Sequence, residues 1–322
     1  MNSTAVSVTG LTKRYGGRTA VEDLDIELPT GVVAGFVGPN GAGKTTTMAM
    51  LLGLVGRTAG SGTVLGRSID HPAAYLPKVG ALIESPAFYP ALSGVENLRM
   101  LATVAGHDTG VIPSLLETVG LEDRGDDRYR GYSLGMKQRL GIAAALLGDP
   151  DLLILDEPAN GLDPQGVREM RSLIGTLAGT GRTVLVSSHD LSELEQVCDW
   201  LILIDTGRSL YQGPTQALLD DVSGGLAVVA ERPEDHAALH RLLTGGGLDV
   251  DTRDGRLVVA VHGADAGRLA ASVNRAAFDA GIVLVELHPQ RTTLEDRYLT
   301  MVQDPGHDRT PALSGTTRGG DR

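Results

Sequence analysis

The sequence predicts an α/β protein with a phosphate-binding turn at the end of a buried strand, followed by a small α+β domain. Three stretches carry that expectation. The first is Val32-Val33-Ala34-Gly35-Phe36-Val37 running into Gly38-Pro39-Asn40-Gly41-Ala42-Gly43-Lys44-Thr45-Thr46. The second is Leu152-Leu153-Ile154-Leu155-Asp156-Glu157, four apolar β-formers that deliver two carboxylates. The third is the C-terminal part, where strand and helix patterns restart beyond Gln212-Gly213-Pro214 in the order βαββαβ.

In the first stretch, glycines let backbone N–H groups converge on an anion, and the N-terminus of the following helix adds its dipole. Gly38, Gly43, Lys44 and Thr45 fill the pattern G-x-x-x-x-G-K-[ST]. Lys44 is therefore expected to reach the β/γ-phosphates of a nucleotide, and Thr45 to offer its hydroxyl to Mg²⁺. The only other lysines are Lys13, Lys78 and Lys137, so composition alone does not place one here. Kinases, GTPases and ATPases all share such a cradle, and it does not choose among them.

Upstream of the cradle, residues 6–9 and 25–28 read as short strands. Tyr15, just before Gly16-Gly17, either stacks on an adenine ring or is a half-buried surface aromatic. The helix opened by Gly43 is expected to run to Leu52, followed by a glycine-rich turn region ending in Gly60-Ser61-Gly62-Thr63-Val64. Residues 79–84 then read as a strand ending on the Glu84 carboxylate. A helix starts at Ser93, with Glu96 at the capping-box position, and a second spans residues 111–119. These helices form an insert without phosphate motifs of its own, a candidate for meeting another protein.

Tyr132-Ser133-Leu134-Gly135-Met136-Lys137-Gln138-Arg139-Leu140 opens a helix reaching Leu147. The strand at residues 152–155 brings Asp156 and Glu157 to its C-terminal end, where parallel sheets bind ligands. Asp156 is placed to hold Mg²⁺ through water, and Glu157 to face an attacking water. After Asn160-Gly161-Leu162-Asp163, Pro164 takes a first-turn helix position. Residues 183–188 form another buried strand, and His189 behind it points to the same ligand edge as Asp156.

Gathered in order, these residues resemble the nucleotide-binding subunit of ABC transporters over about residues 5–220. The resemblance makes Tyr15 the adenine-stacking aromatic. Gly38, Pro39, Asn40, Gly41, Ala42, Gly43, Lys44, Thr45 and Thr46 become the ATP cradle, and Glu84 stands where the family usually has glutamine, next to Mg²⁺. Ser133 and Gly135 match the signature motif, Asp156 and Glu157 the Walker B pair, Asp163 the D-loop and His189 the switch histidine. The signature departs from Leu-Ser-Gly-Gly-Gln, keeping the serine and the second glycine. With Glu84, it looks most like the bacterial multidrug, bacitracin and lantibiotic exporter branch, whose membrane subunits are separate chains. The fold implied is a P-loop NTPase ABC cassette over residues 1–222 with a helical insert at about 85–148. The function implied is hydrolysis of ATP with Mg²⁺ by Lys44, Glu157 and His189 in a head-to-tail homodimer, driving export through an integral-membrane permease.

Residues 223–302 are expected to form a ferredoxin-like βαββαβ domain, closed by a helix beginning at Thr293-Leu294-Glu295-Asp296. His236, His240, His262 and His288 are scattered in it and suggest surface or core roles. Residues 303–322 read as a disordered tail. A length of 322 residues and 42% hydrophobic content fit two soluble domains. A net charge of −12 argues against a general affinity for nucleic acid or anionic lipid. No apolar run approaches a membrane span and the N-terminus lacks a signal-peptide pattern, so the expected place is the cytoplasm, peripheral on the membrane through the permease. The lone Cys198 suits a reducing compartment and a core position. The rivals are a soluble ABC-type ATPase with a non-transport role and a P-loop kinase. One cradle per chain and only 112 residues between Lys44 and Asp156 disfavour the first, and the signature and His189 disfavour the second.

Overall fold

A computed structural model describes residues 3–84, 86–220, 225–253, 255–261, 266–290 and 293–303. Backbone packing divides the chain into two compact units, with Gln216–Leu299 forming the second. The first begins with a hairpin of two twelve-residue strands, β1 (Thr4–Tyr15) and β2 (Arg18–Pro29). These strands are much longer than the two short segments the sequence suggests. Register shifts at Val8/Leu11 and Leu11/Lys13 break the alternation that would otherwise mark a long half-buried strand.

Next come β3 (Val33–Val37), α1 (Lys44–Leu51), β4 (Ala59–Val64), β5 (Arg67–Ser68) and β6 (Val79–Leu82). The region around Gly60 and Gly62 is strand β4, paired antiparallel with β1, and not a turn. A Cβ on Gly60 would sit 2.6 Å from Gly10 O, and one on Gly62 would sit 2.2 Å from Ser7 O. The glycines serve close approach of two backbones. Strand β6 ends at Leu82, two residues short of Glu84, which has a left-handed φ of 57°.

The insert contains α2 (Gly94–Ala105) and α3 (Ile112–Thr118). Ser93 and Glu96 form the complete capping box expected from their spacing. Then follow α4 (Leu134–Ala145), β7 (Leu152–Leu155), α5 (Pro164–Ala178), β8 (Thr183–Ser188), α6 (Leu191–Glu195), β9 (Trp200–Asp205) and β10 (Arg208–Pro214). The six-stranded sheet has the order β10-β9-β3-β8-β7-β6. Only β10 runs against its neighbour, so β3, β6, β7 and β8 all end on the same edge. Every residue of β3, β7 and β8 is buried, as expected of parallel strands covered on both faces. The second sheet, β2-β1-β4-β5, shares a core with it: Leu11, Leu24, Ile26 and Leu28 pack with Phe36, Ile154, Ile202 and Met48.

A short helix α7 (Thr215–Asp220) leads out of this sheet. The second unit contains β11 (Gly225–Ala230), α8 (His236–Gly245), β12 (Val250–Arg253), β13 (Arg256–Ala260), α9 (Ala266–Asp279) and β14 (Leu284–Gln290), followed by α10 (Leu294–Gln303). Its strands pair antiparallel in the order β12-β13-β11-β14. Leu226, Val228, Leu257 and Val259 meet Leu239, Leu243 and Val273 in a separate core. His262 and the expected tail from residue 304 onward lie outside the described residues. Among the described residues no helix is long and apolar enough to cross a membrane.

Candidate active site

The shared C-terminal edge of β3, β6, β7 and β8 gathers the chemistry. The turn after β3 packs so tightly that its glycines are obligatory: a Cβ on Gly38 would lie 2.3 Å from Ile204 O. Gly43 has a φ of 104°, and its Cβ would lie 2.6 Å from Ala20 O on β2. Pro39, Asn40 and Gly41 form the exposed rim, Ala42 is buried, and Lys44, Thr45 and Thr46 open α1. The Lys44 ammonium donates to Gly38 O at 2.7 Å and stands 3.2 Å from Glu157 Oε1.

Strand β7 supplies the two carboxylates, and they face different partners. Asp156, 3% exposed, accepts the Thr45 hydroxyl at 2.8 Å and the Ser187 hydroxyl at 2.6 Å. Glu157 lies between two cationic or polar groups, with His189 Nδ1 2.8 Å from Oε2 on the side away from Lys44's contact at Oε1. Its backbone has a left-handed φ of 49°, and its N–H donates to Ser187 Oγ at 2.9 Å. Sequence reasoning missed Ser187. Its signal was a pair of serines closing the central strand, the first lying two residues before His189.

Behind Glu157 and His189 lies a cleft of about 140 Å³ whose lining includes Met170, Ile174, Asp190 and Glu193. Asp190 caps α6, and the Ser192 hydroxyl hydrogen-bonded to it holds its carboxyl below the usual range. Burial, reinforced by the negative charge of Asp190, pushes the Glu193 carboxyl up. Burial likewise raises the Cys198 thiol, leaving it a core residue.

A family model described as ABC transporter matches residues 21–160. The chain is 38% identical over 315 residues to the bacitracin transport ATP-binding protein BcrA of Bacillus licheniformis, covering 93% of this chain and 98% of that protein. This chain belongs to the ABC transporter family. It is an ATP-hydrolysing subunit, of the class that powers transport. The lantibiotic transport ATP-binding protein SrtF of Streptococcus pyogenes is 42% identical over 207 residues, covering 64% of this chain and 90% of that one. A solved ATP-binding subunit of an ABC transporter superposes with a TM-score of 0.60 at 30% identity, covering 68% of this chain and 93% of its own. Residues 227–295 match a second model, described only as a domain of unknown function, DUF8746.

Within this ABC ATPase the remaining sequence-predicted residues do not join the Lys44–Glu157–His189 group. Tyr15 lies half-exposed at the hairpin end, with the Lys13 ammonium 4.7 Å from its ring centre. The Glu84 carboxylate is exposed and has no hydrogen-bond or ion-pair partner among the described residues. Ser133 caps α4 by accepting the Met136 N–H at 3.2 Å, and Asp163 caps α5 by accepting the Gly166 N–H at 2.8 Å. A Cβ on Gly135 would make only an ordinary 3.7 Å contact with Leu162, so packing in its own chain does not require glycine there.

Proposed function

We propose that this ABC ATPase drives export of a drug, antibiotic or peptide through a separately encoded integral-membrane permease, working as a head-to-tail homodimer on the cytoplasmic face of the membrane. The observation that carries the catalytic reading is Glu157, held between Lys44 at 3.2 Å and His189 at 2.8 Å beside the cradle. Glu157 takes the proton of the attacking water, a role worth about 10²- to 10⁴-fold in rate. Lys44 and His189 stabilise charge on the γ-phosphate, and Gly38 to Thr46 hold the phosphates through backbone N–H groups and the dipole of α1. Tyr15 stacks on the adenine.

The donor set fits Mg²⁺: Thr45 Oγ1 and Asp156 Oδ2 are hard oxygens 2.8 Å apart, and the exposed Glu84 carboxylate, without a partner among the described residues, is another hard oxygen donor. Bound there, Mg²⁺ would neutralise charge on the phosphates. Ser133, Gly135 and Asp163 lie outside the chain's own catalytic group, which supports their use by a second copy. A glycine at 135 that packing among the described residues does not demand suits a backbone N–H offered to the partner's phosphate.

Residues 1–222 form the ATPase domain, with the insert at about 85–148 docking on the permease and Glu84 reporting nucleotide occupancy to it. Residues 223–302 form a ferredoxin-like accessory domain. Tyr89 at 59% and Val104 at 84% exposed offer apolar contact on the insert. The cargo class is supported by the names of the bacitracin and lantibiotic transport relatives. The test is co-expression with the cognate permease, purified in mild detergent. The chain is expected to co-purify with it and to lose it when Tyr89 and Val104 are both changed to aspartate. Co-purification unchanged by those substitutions removes the insert as the docking surface.

A further inference from the structure

Leu134 opens α4 and is 45% exposed, an unusual place for a leucine that has no core to fill. Its Cδ2 lies 3.1 Å from the position a Cβ would take on Gly161, while Leu162 Cδ2 lies 3.7 Å from that on Gly135. The first turn of α4 and the turn at 161–162 therefore interlock within one chain, each setting a leucine over the other's glycine. Gly161 is constrained twice, by this contact and by a φ of 77°.

That turn is the middle of the loop joining Glu157 to Asp163. Asn160 N–H donates to Glu157 O at 3.0 Å, and Leu162 N–H donates to Ala159 O at 3.1 Å. Asp163 anchors the far end as the cap of α5. At the near end Glu157 keeps a left-handed φ of 49°, a conformation that persists only where the surroundings hold it. Two linked turns thus connect Gly161 to the Glu157 backbone through Asn160.

We propose that Leu134 is a positioning residue for Glu157: its side chain seats the Gly161-Leu162 turn and so fixes the carboxylate beside Lys44 and His189. The glycine of the pattern Leu-Ser-Gly-Gly-Gln at this place has no side chain to do so. The inference rests on the reading of Glu157 as the general base. A displacement of about 1 Å in a catalytic group costs on the order of 100-fold, so a partial loss of seating is expected to slow turnover and leave nucleotide binding by the cradle intact.

The test is steady-state ATP hydrolysis by the full-length chain with Mg²⁺. Leu134→Ala is expected to lower kcat about 10-fold, with KM for ATP within about twofold. Leu134→Met, which nearly conserves volume, is expected to retain most of the activity. Gly161→Ala, which both crowds Leu134 and strains the turn at a φ of 77°, should give a kcat-only defect at least as large. An unchanged kcat in Leu134→Ala, or a methionine variant as slow as alanine, would overturn the proposal. A raised KM at unchanged kcat would also overturn it, since it would put Leu134 on the nucleotide itself. Glu157→Gln is measured alongside. If it is inactive while Leu134→Ala is fully active, this inference alone fails, whereas turnover by Glu157→Gln removes the base assignment and the proposal with it.

Discussion

The Ser187 hydroxyl donates to Asp156 Oδ1 at 2.6 Å, and Ser187 Oγ in turn accepts the Glu157 N–H at 2.9 Å. One side chain on β8 thus fixes both carboxylates that β7 delivers. Ser187→Ala leaves a buried carboxylate short of a donor and the Glu157 N–H without an acceptor. We expect a loss of about 1–3 kcal/mol in stability, read by urea denaturation. ATP turnover should fall along with it. Wild-type turnover in Ser187→Ala would mean that Glu157 is positioned without this bond.

Lys44 is only 5% exposed and its ammonium is bonded to Gly38 O. It is thus a packed residue as well as the proposed phosphate ligand, so alanine would confound two effects. Lys44→Met keeps the aliphatic stem and removes only the charge. It is expected to abolish ATP turnover while circular dichroism stays native, with stability lower by about 1–3 kcal/mol because Glu157 loses its ion pair. Normal turnover in a folded Lys44→Met chain would sink the cradle assignment.

Glu157→Gln should bind ATP without hydrolysing it. ATP that binds the dimer and not the monomer shifts association by mass action, so this variant should elute as a dimer with ATP in size-exclusion chromatography. Adding Ser133→Arg places bulk and charge where the partner's phosphate is proposed to lie, and should return it to monomer. A double variant that stays dimeric would show that nucleotide is not sandwiched at Ser133.

Glu193 titrates above its ordinary value of 4.5 because burial and Asp190 disfavour its charge. The sign follows from linkage: a raised folded pKa favours the folded state below the unfolded value, and that benefit disappears as pH rises through the folded value. Asp190 behaves oppositely, since its lowered pKa favours the folded state above 3.8 and the benefit is lost as pH falls. Glu193→Gln should therefore raise Tm at neutral pH relative to wild type, with the gain shrinking as the pH approaches 4.5. A gain independent of pH would attribute the effect to packing.

Much of the site was legible in the sequence because its chemistry is local. The glycines, Lys44 and Thr45 are consecutive along one strand-turn-helix, and a four-residue apolar strand delivers Asp156 and Glu157 together. The capping box at Ser93 and Glu96 could be read for the same reason, since both partners lie within one turn.

Pairing across the sheets was not local, and the sequence could not supply it. The glycines of β4 looked like turn residues because only the backbone of β1 explains them, at 2.2 Å from a Cβ on Gly62. The full length of the hairpin was hidden by its register shifts, and α6, β9 and β10 lacked any motif to draw attention. The strand order β10-β9-β3-β8-β7-β6 is what brings Ser187 to Asp156 across 31 residues of chain and Lys44 to Glu157. The sequence by itself determined which groups are candidates to hold phosphate and move protons, because residue type and spacing along one strand or turn single them out. The tertiary structure alone decided how Glu157 is held, by Lys44, His189 and Ser187 at its side chain and backbone, because those partners come from the start of α1 and the end of β8, which only the parallel sheet aligns on one edge.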